Sequence, residues 1–153
     1  MPTSGAALSV RRSPRQEAAL AFEMPARPES VALARRRVRC FLVERAVPAH
    51  VVVDVELVTS ELVTNALRHG GLGEVDVEVR VRERVDVTLR VVSDGSSMAI
   101  PPVATWATPT ELTASGHGLA IVRRLSDDVG VDGDDRRAAV TSRVQWSGEE
   151  DTR

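Results

Sequence analysis

The chain has no lysine: all 20 of its basic residues are arginine. No side chain can therefore form a Schiff base or clamp a phosphate with an ammonium group, and cationic help must come from arginine or histidine. Cysteine is nearly absent as well. Cys40 stands alone, which excludes an internal disulfide and a cysteine-based zinc cage, and its place in a helical Arg/Val/Phe pattern reads as a structural thiol. His50, His69 and His117 are scattered singly, without metal-ligand spacing, which argues against zinc. No apolar run approaches the roughly 20 residues of a membrane span. The short Gly5-Ala6-Ala7-Leu8 stretch runs into Arg11 and Arg12 and makes no signal-peptide core, so a cytoplasmic location without membrane attachment is expected. A net charge of -2 leaves no footprint for direct nucleic-acid binding. Also missing are Gly-x-x-x-x-Gly-Lys-Ser/Thr, His-Glu-x-x-His and a strand-linked Gly-x-Gly-x-x-Gly, which removes the commonest phosphate, zinc and dinucleotide sites.

What is present suits one soluble domain: 153 residues, 42% apolar and 27% charged. Residues 1–18 mix Pro, Ser, Ala and Arg without a period and read as a disordered tail, and 148–153 read as an acidic one, leaving a domain over 19–147. The stretch Val51 to Gly71 organises that domain. Val51, Val55, Val58, Leu62 and Ala66 recur at helical spacing on one face. At about 100° per residue, Asp54, Glu61, Asn65 and Arg68 fall within roughly 60° of one another, a narrow polar stripe on an otherwise apolar helix.

Before this helix, Ala19 to Met24 predicts a short strand ended by Pro25 and Pro28, and Glu29-Ser30 predicts a cap for a helix running to about Ala46. Val31, Ala34, Val38, Phe41 and Leu42 mark its buried face. Arg35, Arg36, Arg37 and Arg39 form a basic face that reads more simply as solvated than as a docking surface for an acidic partner. After the helix, Val75, Val77, Val79 and Val81 alternate with charged residues, Glu83-Arg84 turns, and Val85, Val87, Leu89 and Val91 repeat the alternation, which predicts an antiparallel hairpin with one wet face. A Pro/Thr/Ala-rich segment from Ile100 to Ser115 has no period. A short helix follows over Leu119 to Leu125, then strands over about Asp127 to Asp132 and Ala138 to Trp146. Strands that come as hairpins, without a βαβ rhythm, predict an α+β two-layer sandwich: three helices on one face of a mixed, mainly antiparallel sheet.

Three places carry possible chemistry. Asn65 offers a neutral hard oxygen suited to Mg²⁺, and Glu61 one turn earlier offers a carboxylate able to orient water or a hydroxyl as general base; a solvated helix edge with Arg68 balancing Glu61 explains the pair too. Asp94, followed by Gly95, offers an acceptor for an exocyclic amino group beside a residue that admits a flat base, and a plain turn explains it equally well. Gly116-His117-Gly118-Leu119 at a helix start offers free N–H groups to an anion, with an N-cap by Ser115 as the alternative.

Together, an Asn-bearing helix, a hairpin ending in Asp-Gly, a long loop and a Gly-x-Gly helix start resemble the GHKL superfamily of ATP-binding domains, with its Bergerat fold. Glu-Leu-Val-Thr-Ser-Glu-Leu-Val-Thr-Asn-Ala-Leu-Arg-His-Gly, residues 56 to 70, resembles the N-box of the small anti-sigma-factor serine/threonine kinases of bacteria, particularly their actinobacterial relatives. The resemblance implies ATP and Mg²⁺ as cofactors, Asn65 as the Mg²⁺ ligand, Glu61 as catalytic base, and Gly116, His117, Gly118 and Leu119 under the phosphates. It further implies Arg68 and His69 near the nucleotide, Asp94, Gly95 and Ser96 at the adenine, Thr141 close by, and Ile100 to Ser115 as a lid. The implied function is phosphoryl transfer to Ser/Thr of a small antagonist protein and control of a sigma factor, with homodimers common among such proteins. A partner-sequestering module without turnover is the alternative. The chain departs from the pattern at Ser96 and Met98, which stand where the first glycine box has glycines, and at Arg136-Arg137, which replace a frequent Gly-Lys pair.

Overall fold

The computed structural model describes residues 17–71, 73–106 and 117–146. Its elements run β1 Glu17–Pro25, α1 Glu29–Glu44, α2 Ala49–His69, β2 Glu74–Arg82, β3 Asp86–Asp94, α3 His117–Leu125, β4 Asp128–Gly133 and β5 Arg137–Gln145. Glu17 and Ala18, assigned to the tail from sequence, open β1, where they pair with Arg82 and Val81.

The strands lie in the order β1-β2-β3-β5-β4, and each neighbouring pair is antiparallel. The expected mixed sheet is thus corrected to an antiparallel one. The single-helix crossover through α3 does leave β3 and β4 running the same way. β5 lies between them, however, and turns both contacts antiparallel. Between β1 and β2, the α1–α2 hairpin returns the chain to the end of the sheet it left.

The valine alternation holds from Val75 to Val81 and from Val87 to Val91, whereas Val85 falls in the turn before β3 and Asp86 is buried. Val77, Val79 and Val81 face Val91, Leu89 and Val87 across the β2–β3 ladder, and all six are buried. They pack under α2, whose expected face of Val51, Val55, Val58, Leu62 and Ala66 is buried together with Val52, Thr59 and Val63. Each buried valine or leucine there contributes about 1.5–3 kcal/mol. Thr59 is tolerated there because its hydroxyl donates to the Val55 carbonyl at 2.7 Å.

Two local expectations fail. Ser30 does not cap α1; its hydroxyl donates to the Pro25 carbonyl at 2.6 Å and ties the helix to the end of β1. Cys40 is exposed rather than packed, because it projects away from the buried line of Ala34, Val38, Phe41 and Leu42. The basic face of α1 is partly used within the molecule: Arg37 stacks over Phe22 at 5.1 Å, and Arg39 lies 3.9 Å from Glu56 of α2.

The start of the period-less segment and the turn just before it are anchored. Short 3₁₀ turns occupy Ser97–Ala99 and Val103–Thr105. Trp106 is only 4% exposed in the core, its indole N–H donating to the Pro101 carbonyl at 2.9 Å. Arg123 of α3 donates to the carbonyls of Val103 and Ala104 at 3.3 and 3.1 Å. Both turns lie against β4.

Candidate functional site

Helix α2 is long enough to carry its polar stripe from the core to the upper rim of the sheet. Glu61 and Asn65 sit one turn apart on it, both half-buried. Helix α3 packs on α2 beside this stripe. A Cβ added at Gly118 would collide with the Glu61 carboxylate, so the first turn of α3 approaches α2 closely only because this residue has no side chain. The contact puts a carboxylate beside a helix N-terminus, where the helix dipole and free N–H groups favour negative charge. Leu119, the next residue, is half-buried against the core.

A second convergence lies at the end of α2. Arg68 and His69 occupy its last turn and are exposed. The Gly70 N–H closes the helix on the Ala66 carbonyl at 2.7 Å, and the Gly71 N–H reaches the Asp94 carbonyl at 3.1 Å. Gly95 has a φ of +131° and donates to the Arg136 carbonyl at 2.7 Å, while a Cβ there would stand 3.1 Å from the His69 carbonyl oxygen. Backbone hydrogen bonds thus stitch α2, β3 and β5 at one corner. Ser96 does not continue a glycine turn; its hydroxyl accepts from the Met98 N–H at 3.2 Å and caps a 3₁₀ turn.

The structure therefore brings Glu61 and Gly118 together, with Asn65 one turn on, and brings Asp94 and Gly95 to the end of the same helix. The Asp94 carboxylate lies against Gly73 and 3.9 Å from the Arg137 guanidinium. Thr141 is not brought to this site. It pairs with Arg90 across the β3–β5 ladder and accepts a hydrogen bond from that guanidinium at 3.2 Å. The alternation that buries Val140, Ser142 and Val144 turns Thr141 to the opposite, open face of the sheet. Gly116 and the remainder of the expected lid, 107–115, lie outside the described residues. His117 is described only as the first residue of α3.

Sequence reasoning missed Trp106 and Arg123, and noted Arg137 only as a departure from the family pattern. A lone tryptophan in a Pro/Thr/Ala-rich stretch was the signal for the first, since so large an apolar surface is rarely left in water. Arg123 had no comparable signal among 20 arginines.

The donor set suits Mg²⁺ held jointly with a phosphate ligand. Asn65 supplies a hard oxygen, and among the described residues no group of three or more His, Cys, Asp or Glu side chains could hold a metal alone. A cation there would need oxygens from elsewhere, as Mg²⁺ commonly takes them from phosphates and water.

Residues 24–144 match the family model described as a histidine kinase-like ATPase domain. Serine-protein kinase RsbW of Listeria innocua is 26% identical over 120 residues, covering 72% of this chain and 76% of that protein. Anti-sigma F factor of Bacillus licheniformis is 28% identical over 120 residues, covering 72% of this chain and 80% of that protein. Among solved structures, the SiaB-SiaC complex from Pseudomonas aeruginosa contains a chain that superposes with a TM-score of 0.63 at 15% identity, over 82% of this chain and 88% of that one, a likeness of fold. The α+β sandwich, the Asn-bearing central helix and a family match over most of the sequence lead to one conclusion: the chain belongs to the histidine kinase-like ATPase domain family.

Proposed function

We propose that the protein is an ATP-binding regulator of the anti-sigma type, which transfers the terminal phosphate of ATP to a Ser or Thr of a small antagonist protein and so controls a sigma factor. The observation that carries this reading is the apposition of Glu61 with Gly118, one turn from Asn65. It supports the reading because a carboxylate, an amide oxygen and a helix start stand side by side, the three groups that such a transfer would use. The curated relatives, one a serine-protein kinase and one an anti-sigma factor by name, support the same direction.

In this reading Asn65 is the protein's ligand to Mg²⁺, and the N–H groups at Gly116, His117, Gly118 and Leu119 receive the phosphates. Bound Mg²⁺ would supply neutralisation of phosphate charge. Glu61 accepts the proton of the incoming hydroxyl; the partner brings that hydroxyl, so the chain needs no activated nucleophile of its own. Asp94 accepts from the adenine amino group, Gly95 and Ser96 border the base, and Arg68 and His69 stand at the rim. The protein acts in the cytoplasm, where the sigma factor and its antagonist are the partners and a second copy of the chain is a further candidate. Incubation with labelled ATP, Mg²⁺ and a cognate antagonist tests the reading: label should appear on the antagonist, and failure of ATP to bind in calorimetry sinks the proposal.

A second reading draws on Ser96 and Met98. The hydroxyl cap at Ser96 and a Met98 that is 85% exposed occupy the first glycine box, a feature that favours a module that holds its partner without turnover. ATP binding with no label on the antagonist would decide for it.

A further inference from the structure

Gly118 and Val122 of α3 and Ser126 just past its end follow one another at four-residue spacing, which sets them on one line along the helix. Gly118 lies against Glu61 of α2, and Val122 is fully buried. The Ser126 hydroxyl donates to the Val122 carbonyl at 2.5 Å and pairs with the Ser142 hydroxyl of β5 at 2.7 Å. A helix held along one line can still roll about it. At Gly118 no side chain interdigitates with α2, so the first turn has no knob at that point to resist the roll. A second line, about 100° round the axis, carries Leu119 and Arg123. Leu119 is half-buried, and Arg123 Nη1 donates to the carbonyls of Val103 and Ala104 at 3.3 and 3.1 Å. The 3₁₀ turn that carries those carbonyls is itself fixed: it lies against β4, and Trp106, which follows it, is in the core. Arg123 therefore ties α3 to the body of the domain from a second side.

We infer that Arg123 is a positioning residue for phosphate binding: by holding α3 against rolling, it keeps the N–H groups of His117, Gly118 and Leu119 in one place beside Glu61. This rests on the reading of that helix start as the phosphate site. A helix of nine residues moves as one body, so a restraint applied at Arg123 is felt at Gly118. The guanidinium is occupied by backbone carbonyls and does not itself meet the ligand. Its effect thus depends on hydrogen-bond geometry more than on charge near the phosphates. A misplaced helix start weakens any ligand whose phosphates rest on it. A nucleoside, which has no phosphate, is indifferent to it.

The test measures ATP and adenosine affinities by calorimetry, with Mg²⁺ present, for the unaltered full chain and for Arg123→Gln, Arg123→Lys and Arg124→Gln. Arg123→Gln should weaken ATP about fivefold, within the range for loss of one hydrogen-bonded tie, and leave adenosine affinity unchanged. Arg123→Lys, which keeps a donor able to reach one of the carbonyls, should restore part of the loss. Arg124→Gln removes the same charge from the neighbouring, exposed position and should change ATP affinity by less than about twofold, because a solvated charge is screened. ATP affinity unchanged in Arg123→Gln, or ATP and adenosine weakened alike, overturns the positioning role and leaves the phosphate site standing. An equal loss in Arg124→Gln overturns it too, by showing that charge alone is read. If the unaltered chain binds ATP no more tightly than adenosine, the phosphate reading of the helix start falls, and the role of Arg123 with it.

Discussion

Replacing Gly118 with alanine tests the contact on which the site depends, and it can be read without any partner protein. In an isolated helix the change would stabilise by about 0.5–1 kcal/mol, because alanine loses less backbone entropy than glycine. Here the new methyl meets the Glu61 carboxylate, the mobile end of a side chain, so Glu61 must leave its rotamer at a cost of about 0.5–1.5 kcal/mol. The two effects nearly cancel, and Gly118→Ala alone should change stability by less than about 1 kcal/mol, or roughly 3–5 °C in melting temperature for a domain of this size. In a Glu61→Ala background the obstruction is gone and the full helical gain returns. A double-mutant cycle by urea unfolding should therefore give a coupling of about 0.5–1.5 kcal/mol between the two positions. Strict additivity would mean that Glu61 does not meet α3, and the apposition at the centre of the site would be wrong.

Asn65→Ala should abolish Mg²⁺-dependent ATP binding in calorimetry while leaving the unfolding midpoint nearly unchanged; wild-type affinity in that variant removes Asn65 from the site. Glu61→Ala should keep ATP affinity and slow transfer to the antagonist by about 100-fold or more, the lower end for loss of a general base, and equal rates would demote it to a rim acid. Asp86, 1% exposed, receives Arg82 Nε at 2.8 Å and lies 3.7 Å from Arg143. Asp86→Ala should cost about 2 kcal/mol in urea unfolding, below the value for a fully buried pair because both arginines can still reach water; a loss under about 0.5 kcal/mol would show the pair to be idle. The Asp132 carboxyl is held below its ordinary value by hydrogen bonding to Arg90, and Asp134 by the backbone N–H groups of Arg136 and Arg137. The unfolded chain therefore binds more protons as pH falls. Stability is fully present near neutrality and declines below about pH 5. Asp132→Asn combined with Asp134→Asn should flatten that decline, and an unchanged slope in acid unfolding curves contradicts the assignment.

Elements whose register is dictated by burial were legible from the start. The Val75–Val81 alternation and the α2 stripe each offer one way to bury every apolar residue, so the residues alone specify the face. Glu61 and Asn65 were legible for the same reason, as the polar interruptions of that pattern. Thr141 was placed near the adenine by the family resemblance alone, and the strand pairing puts it beside Arg90. Its neighbours Val140 and Ala139 are both buried, so hydropathy along β5 does not reveal which parity faces the helices; the pairing of Thr141 with Arg90 does. The anchored turns before Trp106 have no period to read, since a 3₁₀ turn of three residues shows no repeat. The Asp76–Arg137–Asp94 chain joins residues brought together only by strand order, which no local pattern encodes.

The strand order has a consequence for how chains can meet. An uncovered edge strand is a row of unpaired donors and acceptors open to another backbone. The sheet ends in β4 on one side and β1 on the other, and the two 3₁₀ turns approach β4. If two copies join through β1, the joined sheet ends in a β4 at each side, so any further growth must begin at the strand that those turns approach.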